Sequence, residues 1–128
     1  MTAPIFEITK AATFDAAHHL PMGAEADRHT RLHGHSFEVE ATLRGEARSP
    51  VGWVENLNDL ERVLKATAGE LDHTLLNEHG GLESPTLEAL CLWFADRLAP
   101  RFPGLAKVAV SRPTVRERCV LELSRREP

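Results

Sequence analysis

Residues 33–44 read His33-Gly34-His35-Ser36-Phe37-Glu38-Val39-Glu40-Ala41-Thr42-Leu43-Arg44, with imidazole or apolar side chains at odd positions and small or polar ones at even positions. Alternation with a period of two marks a strand that buries one face and wets the other. Upstream, Phe6, Ile8, Ala12, Phe14, Ala16 and His18 share even phase, with Lys10 the one exception. That is a second strand, separated from the first by a loop from His19 to Leu32. If the two pair antiparallel, the chain reverses in that loop and the end of one strand lies beside the start of the other. His18 and His33 are those two ends.

His35 follows His33 at a spacing of two, so both imidazoles leave the same face, and Gly34 between them leaves room close to the backbone. Three histidines therefore converge. A set of three imidazoles without thiolate suits zinc and leaves a fourth position for water or substrate, as in catalytic sites. His18, His33 and His35 are the expected ligands of a Zn2+ cofactor acting as a Lewis acid. His19 is one residue out of phase and is the alternative to His18.

Downstream, Gly45 to Gly52 is rich in turn residues, and Leu57, Leu60, Val63, Leu64, Thr67 and Leu71 then recur at helical spacing. Asn56 is the expected N-cap, with Asp59 at the third helical position. Ser84-Pro85 reads as a second helix start with Pro85 at the first helical position, and Leu87, Leu90, Cys91, Phe94 and Leu98 form its buried stripe. Pro100 and Pro103 end it. Val108 and Val110 fall in a short third strand; Val115, Glu117, Cys119, Leu121 and Leu123 alternate along a fourth. The order ββααββ, with strands and helices segregated, predicts an α+β domain spanning 1–128, an antiparallel sheet with both helices on one face.

The chain has 128 residues, 42% hydrophobic and 27% charged, with a formal net charge of −4. That size supports one domain with a modest core. No Lys/Arg stripe is present, which argues against nucleic acid or an anionic membrane as partner and for small ligands. The N-terminus shows no apolar signal region, so a cytoplasmic setting is expected. Cys91 and Cys119 lie inside apolar periodic segments without CxxC spacing and read as reduced core residues.

Asp72-His73 follows the first helix. The carboxylate could orient the histidine for proton transfer, or the histidine could satisfy the last helix carbonyls. His29, in the loop between the histidine strands, is a base, a fourth ligand or an exposed residue; spacing does not decide. His79, beside Gly80-Gly81, reads as a loop residue, and Glu88 as a carboxylate offsetting the second helix dipole.

Phe14-Asp15-Ala16-Ala17-His18-His19-Leu20 and Arg31-Leu32-His33-Gly34-His35-Ser36-Phe37 resemble the 6-pyruvoyltetrahydropterin synthase and 6-carboxytetrahydropterin synthase family. Gly52-Trp53-Val54, Leu71-Asp72-His73-Thr74-Leu75-Leu76-Asn77 and Pro85-Thr86-Leu87-Glu88 resemble its later motifs in the same order, so the likeness spans nearly the whole chain. The resemblance implies a tunnelling fold (T-fold) whose sheets assemble into a barrel, usually as a hexamer made of two trimers with sites at subunit interfaces. It implies zinc ligands at His18, His33 and His35, an acid/base pair at Asp72 and His73, and substrate contacts from Thr86 and Glu88. Among family members it is the queuosine-pathway lyase that the chain most resembles, which converts dihydroneopterin triphosphate to 6-carboxytetrahydropterin with loss of acetaldehyde and triphosphate.

Three positions depart from the family pattern. His29 stands where the family carries a catalytic cysteine, so a thiolate base is absent and His29 becomes the candidate catalytic residue there. Asn56 replaces an acidic residue but caps a helix about as well. Arg112 stands where a carboxylate pairs with the pterin edge; a guanidinium has only donors and favours an anion, and Glu117 is the nearby carboxylate that could substitute. Two functions follow: a zinc lyase on a pterin-like substrate, or a diverged zinc-binding T-fold protein with a changed substrate or no catalysis. A cupin-like metal protein would need many short strands in place of the two helical segments.

Overall fold

The computed structural model of the chain describes residues 3–21 and 30–123. Its strands are β1 (Phe6–His18), β2 (His33–Gly45), β3 (Leu105–Arg112) and β4 (Glu117–Glu122); its helices are α1 (Leu57–Leu71) and α2 (Leu87–Leu98). They form one antiparallel sheet in the order β1-β2-β3-β4. The two helices lie on one face, α1 chiefly against β1 and α2 against β3 and β4. The expected ββααββ order and α+β class hold.

The alternation read from the sequence sets this register. Phe14 lies opposite Phe37 in the β1–β2 ladder, and the rings stack at 5.0 Å with planes 10° apart. Phe94 of α2 closes on Phe14 at 5.7 Å. Around them Val39, Leu43, Leu60, Leu64, Leu71, Leu90, Leu98 and Val110 are buried, so the even face of β1, the odd face of β2 and the two helical stripes make one core. The opposite sheet face is polar, with Arg118 forked onto Glu40 at 2.9 and 3.2 Å and Lys107 on Glu7 at 3.2 Å. The Arg44 N–H donates to the Gly104 carbonyl at 2.9 Å, and a Cβ on Gly104 would sit 3.1 Å from the Arg44 oxygen, a tight contact that favours glycine beside the Thr42/Leu43 irregularity.

The caps explain where α1 and α2 begin. Asn56 accepts from the Asn58 N–H at 2.9 Å, as expected. The second start differs from expectation: Thr86 is the N-cap, its Oγ1 accepting from Ala89 N–H at 3.1 Å, and Pro85 precedes the helix. The Thr86 hydroxyl satisfies an otherwise unpaired amide, which fixes the helix start at Leu87, two residues later than proline preference predicts. Val115 also differs. It lies in a 3-10 turn, Pro113–Val115, that ends at Arg116 with φ 59°, and β4 begins only at Glu117. Proline cannot donate to a ladder, so the chain turns before pairing resumes. No helix among the described residues is long and apolar enough to cross a membrane.

Leu60 is fully buried whereas Leu57, on the same helix, is 42% exposed. Leu60→Ala should lower the unfolding free energy by about 2–5 kcal/mol and Leu57→Ala by less than about 1 kcal/mol, measured by urea titration; equal losses would contradict the placement of the core.

Candidate metal centre

His18 and His33 close the β1–β2 ladder as direct partners, and Ala16 faces His35 two positions inside. The three rings stand edge to face, with centroids 4.6 Å (His18–His33), 5.0 Å (His18–His35) and 4.7 Å (His33–His35) apart. One ligand nitrogen from each lies within 4.8 Å of the others. His19 is not in this group, as its phase predicted.

Two backbone carbonyls decide which nitrogens face inward. His18 Nδ1 lies 3.0 Å from the Pro85 oxygen, and His33 Nδ1 lies 2.6 Å from the Arg31 oxygen. A carbonyl only accepts, so each Nδ1 carries the hydrogen, and a ring with that one hydrogen presents a bare Nε2. Those two Nε2 atoms are 3.0 Å apart. Two lone pairs at that distance repel unless a cation lies between them, and anchoring the far ring nitrogen to a carbonyl is how metal-ligating histidines are oriented. This donor set can hold a metal ion.

Burial disfavours the charged form of His18. His18 is 1% exposed, and that burial pushes its imidazole down to about 4; the Pro85 bond opposes the shift, while the charges of His33, His35 and Arg112 add to it. Arg112 is itself 9% exposed, and its Nε meets Glu117 Oε1 at 2.9 Å across the β3–β4 ladder. Glu117 is therefore occupied by Arg112 and does not stand free as a substitute carboxylate.

Of the two geometries read from the sequence, the one present is the contact between the Asp72 carboxylate and the His73 ring. Asp72 caps α1, and His73 turns away from the helix carbonyls with φ 60°. Asp72 Oδ1 accepts from the Asp15 N–H at 2.8 Å, His73 N–H donates to the Asp15 oxygen at 2.6 Å, and His73 Nδ1 meets Asp72 Oδ2 at 2.8 Å. A left-handed histidine persists only where its surroundings hold it, and here both backbone and ring are held. The Asp15 N–H, then His73, keeps the Asp72 carboxyl below the ordinary carboxylate range, and Asp72 raises His73. His73 remains exposed and, with His35, Asp15, Gly34, Ser36 and Thr114, lines an open hollow of about 630 Å³. A Cβ on Gly34 would make only an ordinary 3.6 Å contact with the Ala16 oxygen, so packing within the chain does not force glycine there.

The remaining expected residues are placed as follows. The Thr86 hydroxyl is engaged in its helix cap. Glu88 is exposed on the first turn of α2, suited to the helix dipole. His79 Nε2 lies 2.9 Å from Thr74 Oγ1. His29 lies outside the described residues. The Pro85 and Arg31 carbonyls, the Asp15 backbone and the Asn77 carboxamide, although their residues lie in the quoted motifs, have no role assigned from the sequence. Backbone groups leave no signature in side-chain identity, and Asn77 differs from other surface amides only by its contacts.

Because Asp72 raises His73, the pair adds stability in full below the unfolded histidine value near 6.5, and that contribution is lost as pH rises through the higher folded value. Asp72→Asn should bring the His73 titration, followed by NMR, back down towards 6.5; an unchanged titration would dismiss the pairing.

The description "6-pyruvoyl tetrahydropterin synthase" belongs to the family model that matches residues 7–124. The chain is 38% identical over 109 residues to a 6-carboxy-5,6,7,8-tetrahydropterin synthase of Synechocystis, covering 80% of this chain and 83% of the relative. It is 34% identical over 97 residues to a dihydroneopterin monophosphate aldolase of Pyrococcus furiosus, covering 76% and 78%. The fold overlays on the 6-pyruvoyl tetrahydropterin synthase of Caenorhabditis elegans with a TM-score of 0.80 at 20% identity, over 97% of this chain and 99% of that one. With a sequence match across nearly all its length and the matching sheet and helices, the chain belongs to the 6-pyruvoyl tetrahydropterin synthase family.

Proposed function

We propose that the chain is a zinc-dependent lyase of the 6-carboxytetrahydropterin synthase type, acting on dihydroneopterin triphosphate or a related pterin. The observation that carries this reading is the pair of carbonyl-anchored imidazoles whose bare Nε2 atoms converge beside His35. Tetrahedral zinc with bonds of about 2.0–2.1 Å has ligand nitrogens about 3.3 Å apart, close to the 3.0 Å between the His18 and His33 Nε2 atoms. Bound there by His18, His33 and His35, zinc would polarise substrate oxygens and acidify the adjoining C–H and O–H bonds.

The chain's own groups supply the rest. His73, made more basic and oriented by Asp72 at the hollow it shares with His35, is suited to take and return a proton. His29 is the second candidate for proton transfer, on the strength of the family position alone. Thr86 and Glu88 are the proposed substrate contacts, and Arg112 would meet an anionic group by exchanging its Glu117 partner for it. The same reading carries a cytoplasmic single-domain protein, hexameric as two trimers, with neither nucleic acid nor membrane as partner.

One observation favours the second reading, a diverged zinc protein with a changed ligand or no catalysis. The Arg112–Glu117 pair ties up the carboxylate that could otherwise have met a pterin edge. One relative is named for dihydroneopterin monophosphate and another for a different reaction, so both dihydroneopterin triphosphate and its monophosphate are the substrates to try.

His33→Ala should abolish stoichiometric zinc binding while His19→Ala retains it, measured by elemental analysis after dialysis; full zinc in His33→Ala would count against the ligand set. Zinc-loaded protein should convert one of the two phosphates to a 6-substituted pterin, followed by chromatography. No turnover of either at micromolar enzyme would remove the lyase reading in favour of the diverged one.

A further inference from the structure

The open edge of β1 is served, residue by residue, by the segment after α1. Asp15 meets Asp72 and His73, Ala17 N–H donates to Thr74 O at 3.0 Å, and next along that edge is His19. There the backbone partner is replaced by a side chain. Asn77 Oδ1 accepts from the His19 N–H at 3.1 Å, and its Nδ2 donates to the His19 oxygen at 2.8 Å and to the Glu83 oxygen at 3.4 Å. One carboxamide therefore ties the residue after His18 to the loop two residues before Pro85, the residue whose carbonyl receives the His18 Nδ1–H.

We propose that Asn77 is a positioning residue for the metal centre, holding the end of β1 and the Pro85 carbonyl in the arrangement that keeps the His18 hydrogen on Nδ1 and its Nε2 bare. Only a carboxamide does this. Two carbonyls need donors and one N–H needs an acceptor, and asparagine offers both at one reach. Aspartate keeps the acceptor but sets a carboxylate against two carbonyl oxygens, whereas alanine removes all three contacts. With the clamp gone, the His18 ring loses its fixed partner, and the hydrogen distributes between its two nitrogens.

The inference rests on the metal-centre reading, and the test separates the two. In metal-free, 15N-labelled protein at neutral pH, long-range imidazole spectra should show His18 as the Nδ1–H tautomer, and Asn77→Ala and Asn77→Asp should show mixed tautomers with the fold retained by circular dichroism. Zinc affinity, by chelator competition, should fall about 10-fold, the low end for groups that orient ligands. Wild-type tautomer with affinity within about 2-fold in either folded variant would overturn the proposal. Loss of the fold in both variants even with zinc present would overturn it too, by making Asn77 a general structural residue. A wild-type chain that binds no zinc would sink the metal-centre reading, while the tautomer spectra would still decide the role of Asn77.

Discussion

The register between β1 and β2 sets His18 opposite His33 and Ala16 opposite His35, and nothing at the site survives its loss. A slip of one residue would send every side chain of a strand to the other face, moving the imidazoles out of the group and the phenylalanines out of the core. The stacked pair Phe14–Phe37 lies on the same face, four residues before His18 and four after His33, so the packing that stabilises the domain also fixes the phase of the histidines. Fold and site thus share one constraint. The histidines lie where the ladder ends and the apolar layer gives way to polar groups.

Burial at that boundary has an electrostatic consequence. An imidazole as enclosed as His18 resists protonation, and a neighbouring Arg112 reinforces this. A neutral ring with its hydrogen committed to the Pro85 carbonyl has one lone pair left, aimed at its neighbours. At His73 the physics runs the other way. That ring is exposed, and with desolvation small, the Asp72 carboxylate decides the direction. Two histidine environments a short distance along the same strand edge therefore favour opposite tasks, lone-pair donation in one and proton exchange in the other.

Much of this was legible in the residues. Alternation in 6–18 and 33–44 gave both strands and the His18–His33 pairing, because a period of two has a single geometric reading once one face is apolar. The helical stripes and the Asn56 cap followed for similar reasons. What escaped was the work of the backbone. The Pro85 carbonyl, the Arg31 carbonyl and both polar groups of Asp15 act through atoms that every residue possesses, and only tertiary geometry gives them partners. Proline misled at position 85, where the Thr86 hydroxyl takes the cap, and at Val115, where Pro113 delays β4. The two readings of Asp72-His73 were equal in sequence because the choice depends on Asp15, 57 residues earlier.

The central claim is that three imidazoles on two neighbouring strands bind one divalent ion through nitrogen. X-ray absorption at the zinc edge of the purified protein tests it most directly. The account predicts one zinc per chain with three nitrogen scatterers at about 2.0–2.1 Å and the outer-shell pattern of imidazole rings. A metal-free chain, or a zinc shell made of sulfur or of oxygen alone, would contradict it.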